Sequence, residues 1–143
     1  MSDFVLDNSV TMRWCFDSGS HVQADAILRI LETGQGEAFV PRLWRYEVSA
    51  VLARAQKTGV LTAERVTEFL DDLDALPIRM DAVSIHHALS ETHRLAVLYN
   101  LTSYDAAYLE VALRRRLPLA TLDADLVKAR QAANVLIVQA YSP

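Results

Sequence analysis

A single cysteine, Cys15, stands in the 143 residues. It excludes an internal disulfide and any cysteine-based zinc site. Long apolar runs are missing too, so nothing in the sequence is fitted to cross a bilayer. The opening Met-Ser-Asp-Phe has none of the pattern of a signal peptide, and a cytoplasmic protein with no membrane association is expected. Lysine occurs only as Lys57 and Lys128. With 14 Lys and Arg against 18 Asp and Glu the net charge is −4, so no global basic field draws in nucleic acid. The four glycines are scattered, and no glycine-rich phosphate loop is present.

What is abundant is apolar: 52% of residues are hydrophobic and 22% charged, which argues against disorder. No linker, repeat or low-complexity stretch interrupts residues 1–143, which read as one domain. Short apolar runs over about 3–7, 38–40, 78–80, 118–122 and 135–138 predict strands. Helices are expected between them: Ser9 to Phe16 with Ser18-Gly19-Ser20 as its break, a second around Ala24–Leu31, and Pro41 to Thr58. Further helices are expected from Thr62 to Leu76, from Ser84 through Leu98, from Leu101 to Arg116, and over 124–133. None of the strands alternates polar and apolar residues, so both faces should be buried. The expected fold is α/β, a three-layer α/β/α sandwich with a mostly parallel sheet of about five strands. Ligands of such folds bind beyond the carboxyl ends of the strands.

Four acids fall at element ends or on faces that should pack. Asp7 and Asp123 follow predicted strands, where a turn or helix cap would also account for them. Glu47 interrupts the apolar face formed by Leu43, Trp44, Ala50 and Val51, with Arg54 as one available ion-pair partner. Asp105 is the third residue of a helix capped by Thr102, on the edge of the stripe made by Tyr104, Ala107, Tyr108, Val111 and Ala112. Four carboxylates brought together would repel and raise one another's pKa values, and a hard divalent cation, Mg²⁺ or Mn²⁺, is their natural partner. The other charged groups read more plainly. His86, His87 and His93 lack the i, i+4 spacing of a zinc pair, and Asp71, Asp72 and Asp74 form a solvated run. Arg114-Arg115-Arg116 suits a helix C-terminus and is also a candidate for phosphate contact.

Phe4-Val5-Leu6-Asp7-Asn8-Ser9-Val10, Tyr46-Glu47-Val48, Leu101-Thr102-Ser103-Tyr104-Asp105-Ala106-Ala107-Tyr108-Leu109 and Leu119-Ala120-Thr121-Leu122-Asp123 resemble the four motifs of PIN-domain ribonucleases. Within that family the sequence is most similar to the VapC toxins of bacterial toxin–antitoxin pairs, over nearly all of Phe4 to Val138. The resemblance implies a PIN-like sheet and an Mg²⁺ or Mn²⁺ centre held by Asp7, Glu47, Asp105 and Asp123. It also implies hydrolysis of RNA, commonly tRNA or rRNA, a VapB-type antitoxin as partner, and a homodimer. One departure is Asn8, which separates the first acid from the hydroxyl of Ser9 where the family often has Thr or Ser directly after it. Asp125 is a second acid two residues after Asp123, and either is placed to face the metal. Two other readings are a catalytically inert PIN-like protein-binding module and a haloacid-dehalogenase-type phosphatase built on Asp7-Asn8-Ser9. The latter wants Asp where Ser9 stands and an active-site lysine.

Overall fold

The computed structural model describes residues 2–16 and 21–138. The expected break at Ser18-Gly19-Ser20 lies outside them. The described chain runs β1 (Phe4–Leu6), α1 (Asn8–Arg13), α2 (Val22–Glu32), β2 (Ala38–Val40), α3 (Leu43–Lys57), α4 (Ala63–Asp74) and β3 (Ile78–Met80). A 3-10 turn at Ser84–His87 precedes α5 (Glu91–Leu98), α6 (Ser103–Arg115), β4 (Leu119–Ala120) and α7 (Ala124–Ala132). The four strands are parallel in the order β3-β2-β1-β4 and are flanked by helices, an α/β fold as the apolar runs predict. All three residues of β1 are fully buried, and Val5 aligns with Phe39 on one side and Leu119 on the other.

The chain builds outward from β1 to β2 and β3, then returns to place β4 on the other flank of β1. That reversal falls beside the carboxyl ends of β1 and β4, the place where parallel α/β sheets take their ligands. Helix α6 packs across β1, β2 and β4, with α5 and α7 against it. Ala106 to Ala112 are consequently buried on every side.

Three expectations are corrected. The apolar run Val135–Val138 forms no strand, so the sheet has four strands among the described residues rather than about five. One backbone bond, from Leu119 N–H to the Leu136 carbonyl, is its link to β4, and Leu136 and Ile137 are exposed. The helix expected from Ser84 to Leu98 is broken in two: the buried carboxylate of Asp81 accepts the amides of Val83 and Ser84 (3.0 and 2.7 Å) at the start of the 3-10 turn, and the chain leaves helical geometry at Ser90 (φ −126°, ψ −96°) before α5. Tyr104, expected on the packed stripe of α6, is 67% exposed, and burial on that helix begins at Ala106.

Helix α1 is tied to α3 by a buried bond: the Trp44 indole N–H donates to the Thr11 hydroxyl at 3.0 Å. Replacing Thr11 by valine keeps the shape and leaves the indole without its acceptor. A loss of about 1–3 kcal/mol in denaturant unfolding is expected. A variant as stable as the parent would show that the bond contributes nothing.

Candidate active site

Asp7 extends the β1 ladder, its amide donating to the Ala120 carbonyl at 3.0 Å, and it is the N-cap residue of α1. Its buried carboxylate meets both the first turn of that helix and the end of β4. The hydroxyls of Ser9 (2.6 Å) and Thr121 (2.7 Å) both donate to Oδ2. Each hydroxyl is oriented in turn by a backbone amide, Leu122 N–H on Ser9 (2.9 Å) and Asp123 N–H on Thr121 (3.1 Å). Burial pushes the Asp7 carboxyl above its ordinary range, against the lowering effect of these hydrogen bonds. Asn8 does not cost the site its hydroxyl, because Ser9, one residue later on the first turn of α1, reaches the acid.

Glu47 turns inward from α3, and its partner is the Tyr108 phenol, whose O–H donates to Oε1 at 2.5 Å, rather than Arg54. Burial raises the Glu47 carboxyl, the Tyr108 bond opposes that, and the charges of Asp7 and Asp105 raise it further. The Tyr108 hydroxyl is held firmly protonated by its own burial and by Glu47. On α6, Asp105 is placed by the Thr102 cap, which accepts its backbone N–H at 3.1 Å and also meets its carboxyl, with a lowering effect on it. Its carboxyl is pushed up to about 6, first by burial and then by Asp123, Asp7 and Asp125 in that order. Asp123 caps α7 through Leu126 N–H at 3.0 Å, so capping and proximity to Asp105 coexist in one residue. Asp125 is exposed on the first turn of α7 and acts on Asp105 less than Asp123 does.

The four acids singled out in the sequence therefore share one electrostatic neighbourhood, Asp7 and Asp105 acting on Glu47, and Asp123 and Asp7 on Asp105. The arginine cluster does not join them. Arg114 pairs with Glu110 (2.7 Å) and Asp81 (2.8 Å), and Arg115 pairs with Asp81 (2.5 Å) and stacks 4.2 Å above the Phe39 ring. Arg116 is the left-handed C-cap of α6. Ser9 reaches Asp7 across only two positions, and its signal was the hydroxyl beside the first acid. Thr121 and Tyr108 carried no such signal beyond their place in the strand-plus-acid and helix motifs, since their contacts bridge 114 and 61 positions.

The family model of the PIN domain matches residues 4–132. The chain belongs to the PIN domain family. PIN domains are generally metal-dependent nucleases, and this membership leaves no ground for the phosphatase reading. Among solved structures, PAE2754 from Pyrobaculum aerophilum is similar in fold, with a TM-score of 0.65 and 22% identity over 90% of this chain and 86% of that one. No curated protein matches the sequence. PIN nucleases generally use divalent ions such as Mg²⁺, and the donor atoms gathered here are of the chemical type such an ion takes. Carboxylate oxygens alone make them up, and at least three of the carboxyls carry raised pKa values that a nearby cation would lower. No three His, Cys, Asp or Glu side chains among the described residues stand so as to enclose an ion. No helix among those residues is long and apolar enough to cross a membrane.

Proposed function

We propose that this chain is a single-domain Mg²⁺- or Mn²⁺-dependent endoribonuclease, acting in the cytoplasm as the toxin of a VapBC-type toxin–antitoxin pair. The observation that carries the reading is the gathering of Asp7, Glu47 and Asp105 at one end of the sheet in a PIN fold, each raised first by burial, with the charges of Asp7 and Asp105 adding to the rise at Glu47 and those of Asp123 and Asp7 to the rise at Asp105. Asp7 and Asp105 would hold the ion, with Asp123 completing the shell directly or through water. When bound, such an ion polarises a phosphodiester and lowers the pKa of a coordinated water. Glu47, fixed at one oxygen by Tyr108, ligates or orients the attacking water with the other. RNA, a tRNA or rRNA, is favoured as substrate through looped or single-stranded segments. Exposed Arg42 and Arg45, on the side of α3 leading to Glu47, and Arg116 supply phosphate contacts more readily than Arg114 and Arg115, whose guanidiniums are paired.

Two surfaces support the partners. An apolar groove of about 360 Å³ between α3 and α4, lined by Trp44, Val48, Leu52, Val66, Leu70 and Leu73, suits an amphipathic segment of an antitoxin and contains none of the four acids. Leu89, Val97 and Leu98 stand exposed around α5, which favours a homodimer.

The test is incubation of the purified chain with total RNA. Cleavage is expected with Mg²⁺ or Mn²⁺, none with EDTA, and recovery when Mn²⁺ is returned in excess. Cleavage that persists in EDTA would sink the metal mechanism. Absence of Mn²⁺ binding in calorimetry would point instead to the inert protein-binding module.

A further inference from the structure

We propose that Tyr46 and Tyr104 are stacking platforms for two unpaired bases of an RNA strand and that Arg54 takes a phosphate of the same strand, so that the site recognises its substrate as single-stranded. The inference rests on the reading of the four acids as a ribonuclease centre.

Large aromatic side chains bury most of their surface in folded proteins. Among the described residues only two Phe, Trp or Tyr side chains are exposed, Tyr46 at 79% and Tyr104 at 67%. Each immediately precedes one of the acids, Tyr46 before Glu47 on α3 and Tyr104 before Asp105 on α6. A lone exposed ring on a surface is ordinary, but here both exposed rings fall at the acids. The two helices meet at this point through the 2.5 Å bond from the Tyr108 hydroxyl to Glu47. Tyr104 stands one turn before Tyr108 on α6, and Tyr46 adjoins Glu47, so one ring from each helix flanks that bond. Neither ring is held by a hydrogen bond or a cation–π contact among the described residues.

The charge on α3 is of one sign. In a chain of net charge −4, this helix has Glu47 as its single acid and bears Arg45, Arg54 and Lys57, with Arg42 at its N-cap. All four cations are exposed, and none forms an ion pair among the described residues. Glu47 is held by Tyr108, so Arg54 is left without the partner that its spacing offered. It lies two turns along the same edge of α3, about 10 Å from Glu47 at 1.5 Å per residue. That puts a cation on the path of a strand leaving the acids. Rings on which bases stack, beside cations that follow the backbone, are the means by which proteins hold single strands. Bases inside a duplex are already stacked on both faces, so the two tyrosines favour an unpaired strand.

The full-length chain in EDTA, titrated against a fluorescein-labelled oligouridine of about 12 nucleotides and against an abasic strand of equal length, tests this by anisotropy. The parent is expected to bind the oligouridine more tightly than the abasic strand. Tyr46→Ala and Tyr104→Ala should each weaken oligouridine binding at least about 5-fold, the lower end of what one stacked base contributes. Their affinity for the abasic strand should match the parent's. Tyr46→Phe and Tyr104→Phe keep the ring and should bind both strands as the parent does. Arg54→Ala should weaken both strands and reduce the slope of log affinity against log salt by about 0.7, the share of one phosphate contact on a single strand. The tyrosine variants should keep the parent's slope. Because both tyrosines are exposed, their replacement leaves the core intact. Alanine variants that bind oligouridine like the parent, or that lose the abasic strand equally, overturn the inference. So does an unchanged salt slope in Arg54→Ala, or a parent that shows no preference for the strand with bases. In each of these cases Mn²⁺-dependent cleavage of total RNA by the parent leaves the nuclease standing, and its absence overturns that reading instead.

Discussion

Asp105→Asn is expected to abolish RNA cleavage and, at the same time, to make the metal-free protein more stable at neutral pH. The carboxyl stands at about 6 in the fold against an ordinary 3.8, raised by burial and then by Asp123, Asp7 and Asp125. A carboxyl with a raised folded pKa favours the unfolded chain wherever it must ionise. The penalty is absent below 3.8, grows as pH rises towards about 6, and is complete above that. Asparagine removes the charge at nearly constant shape. It also keeps the main capping bond, since the Thr102 hydroxyl receives the backbone amide of residue 105. With allowance for solvent screening at a half-buried group, the gain at pH 7 is about 1–2 kcal/mol. Urea unfolding in EDTA between pH 4 and pH 8 should show the two proteins converging at the acidic end and parting above pH 6. Adding Mn²⁺ should reverse the order, because ion binding stabilises the parent and the variant has lost a ligand. Parent-like cleavage, or a variant less stable than the parent at pH 7, would contradict the role given to Asp105.

The opposition between function and stability explains why these acids were legible in the sequence. Asp7, Glu47, Asp105 and Asp123 each break a local pattern: an acid ending an all-apolar strand, or an acid on a packing face. Tyr108, by contrast, satisfies its pattern, and as an apolar-stripe residue it gave no sign of the phenol it directs at Glu47. Ser9 and Thr121 look like ordinary turn and strand-end residues until the parallel pairing of β1 with β4 brings them together. Periodicity reports what a residue does within its own element. Contacts across more than 100 positions are created by topology and leave no local trace.

The misjudged strand has the same origin. Val135–Val138 is as apolar as β1, but a strand also needs a neighbour along its length, and β4 is only two residues long. The helix proposed from Ser84 to Leu98 had suitable residues throughout. It failed at Ser90, whose backbone leaves the helical region between the 3-10 turn and α5. The parallel α/β architecture was recoverable because it follows from unalternating apolar strands. Strand number depends on such neighbours, and the helix break on one backbone position.

Asp81 is the residue the sequence left unmarked, and its replacement is the second large effect expected. Its side chain is completely buried, and it accepts from Arg114 (2.8 Å), Arg115 (2.5 Å) and the amides of Val83 and Ser84. Burial alone would raise its carboxyl, but the guanidiniums of Arg114 and Arg115 and the Ser84 amide outweigh it and hold the group at about 2. With the folded pKa depressed, the stabilisation is complete above 3.8 and is lost as pH falls through about 2. Asp81→Asn should therefore cost about 2 kcal/mol at pH 7, since it leaves two partly buried guanidiniums facing a neutral amide. The gap between parent and variant in chemical denaturation should close between pH 4 and pH 2, and a gap that does not depend on pH would refute the assignment. The same pairing separates Arg114 and Arg115 from RNA. Were they phosphate contacts, Arg115→Ala would weaken RNA binding and reduce its salt dependence by about one ion. Held by Asp81 and stacked on Phe39, Arg115 should instead lose stability on truncation, with the salt slope of RNA binding unchanged. Asp81 and its arginines then anchor the C-terminal end of α6, so that the other end of the same buried helix can hold the repelling charge of Asp105 in place.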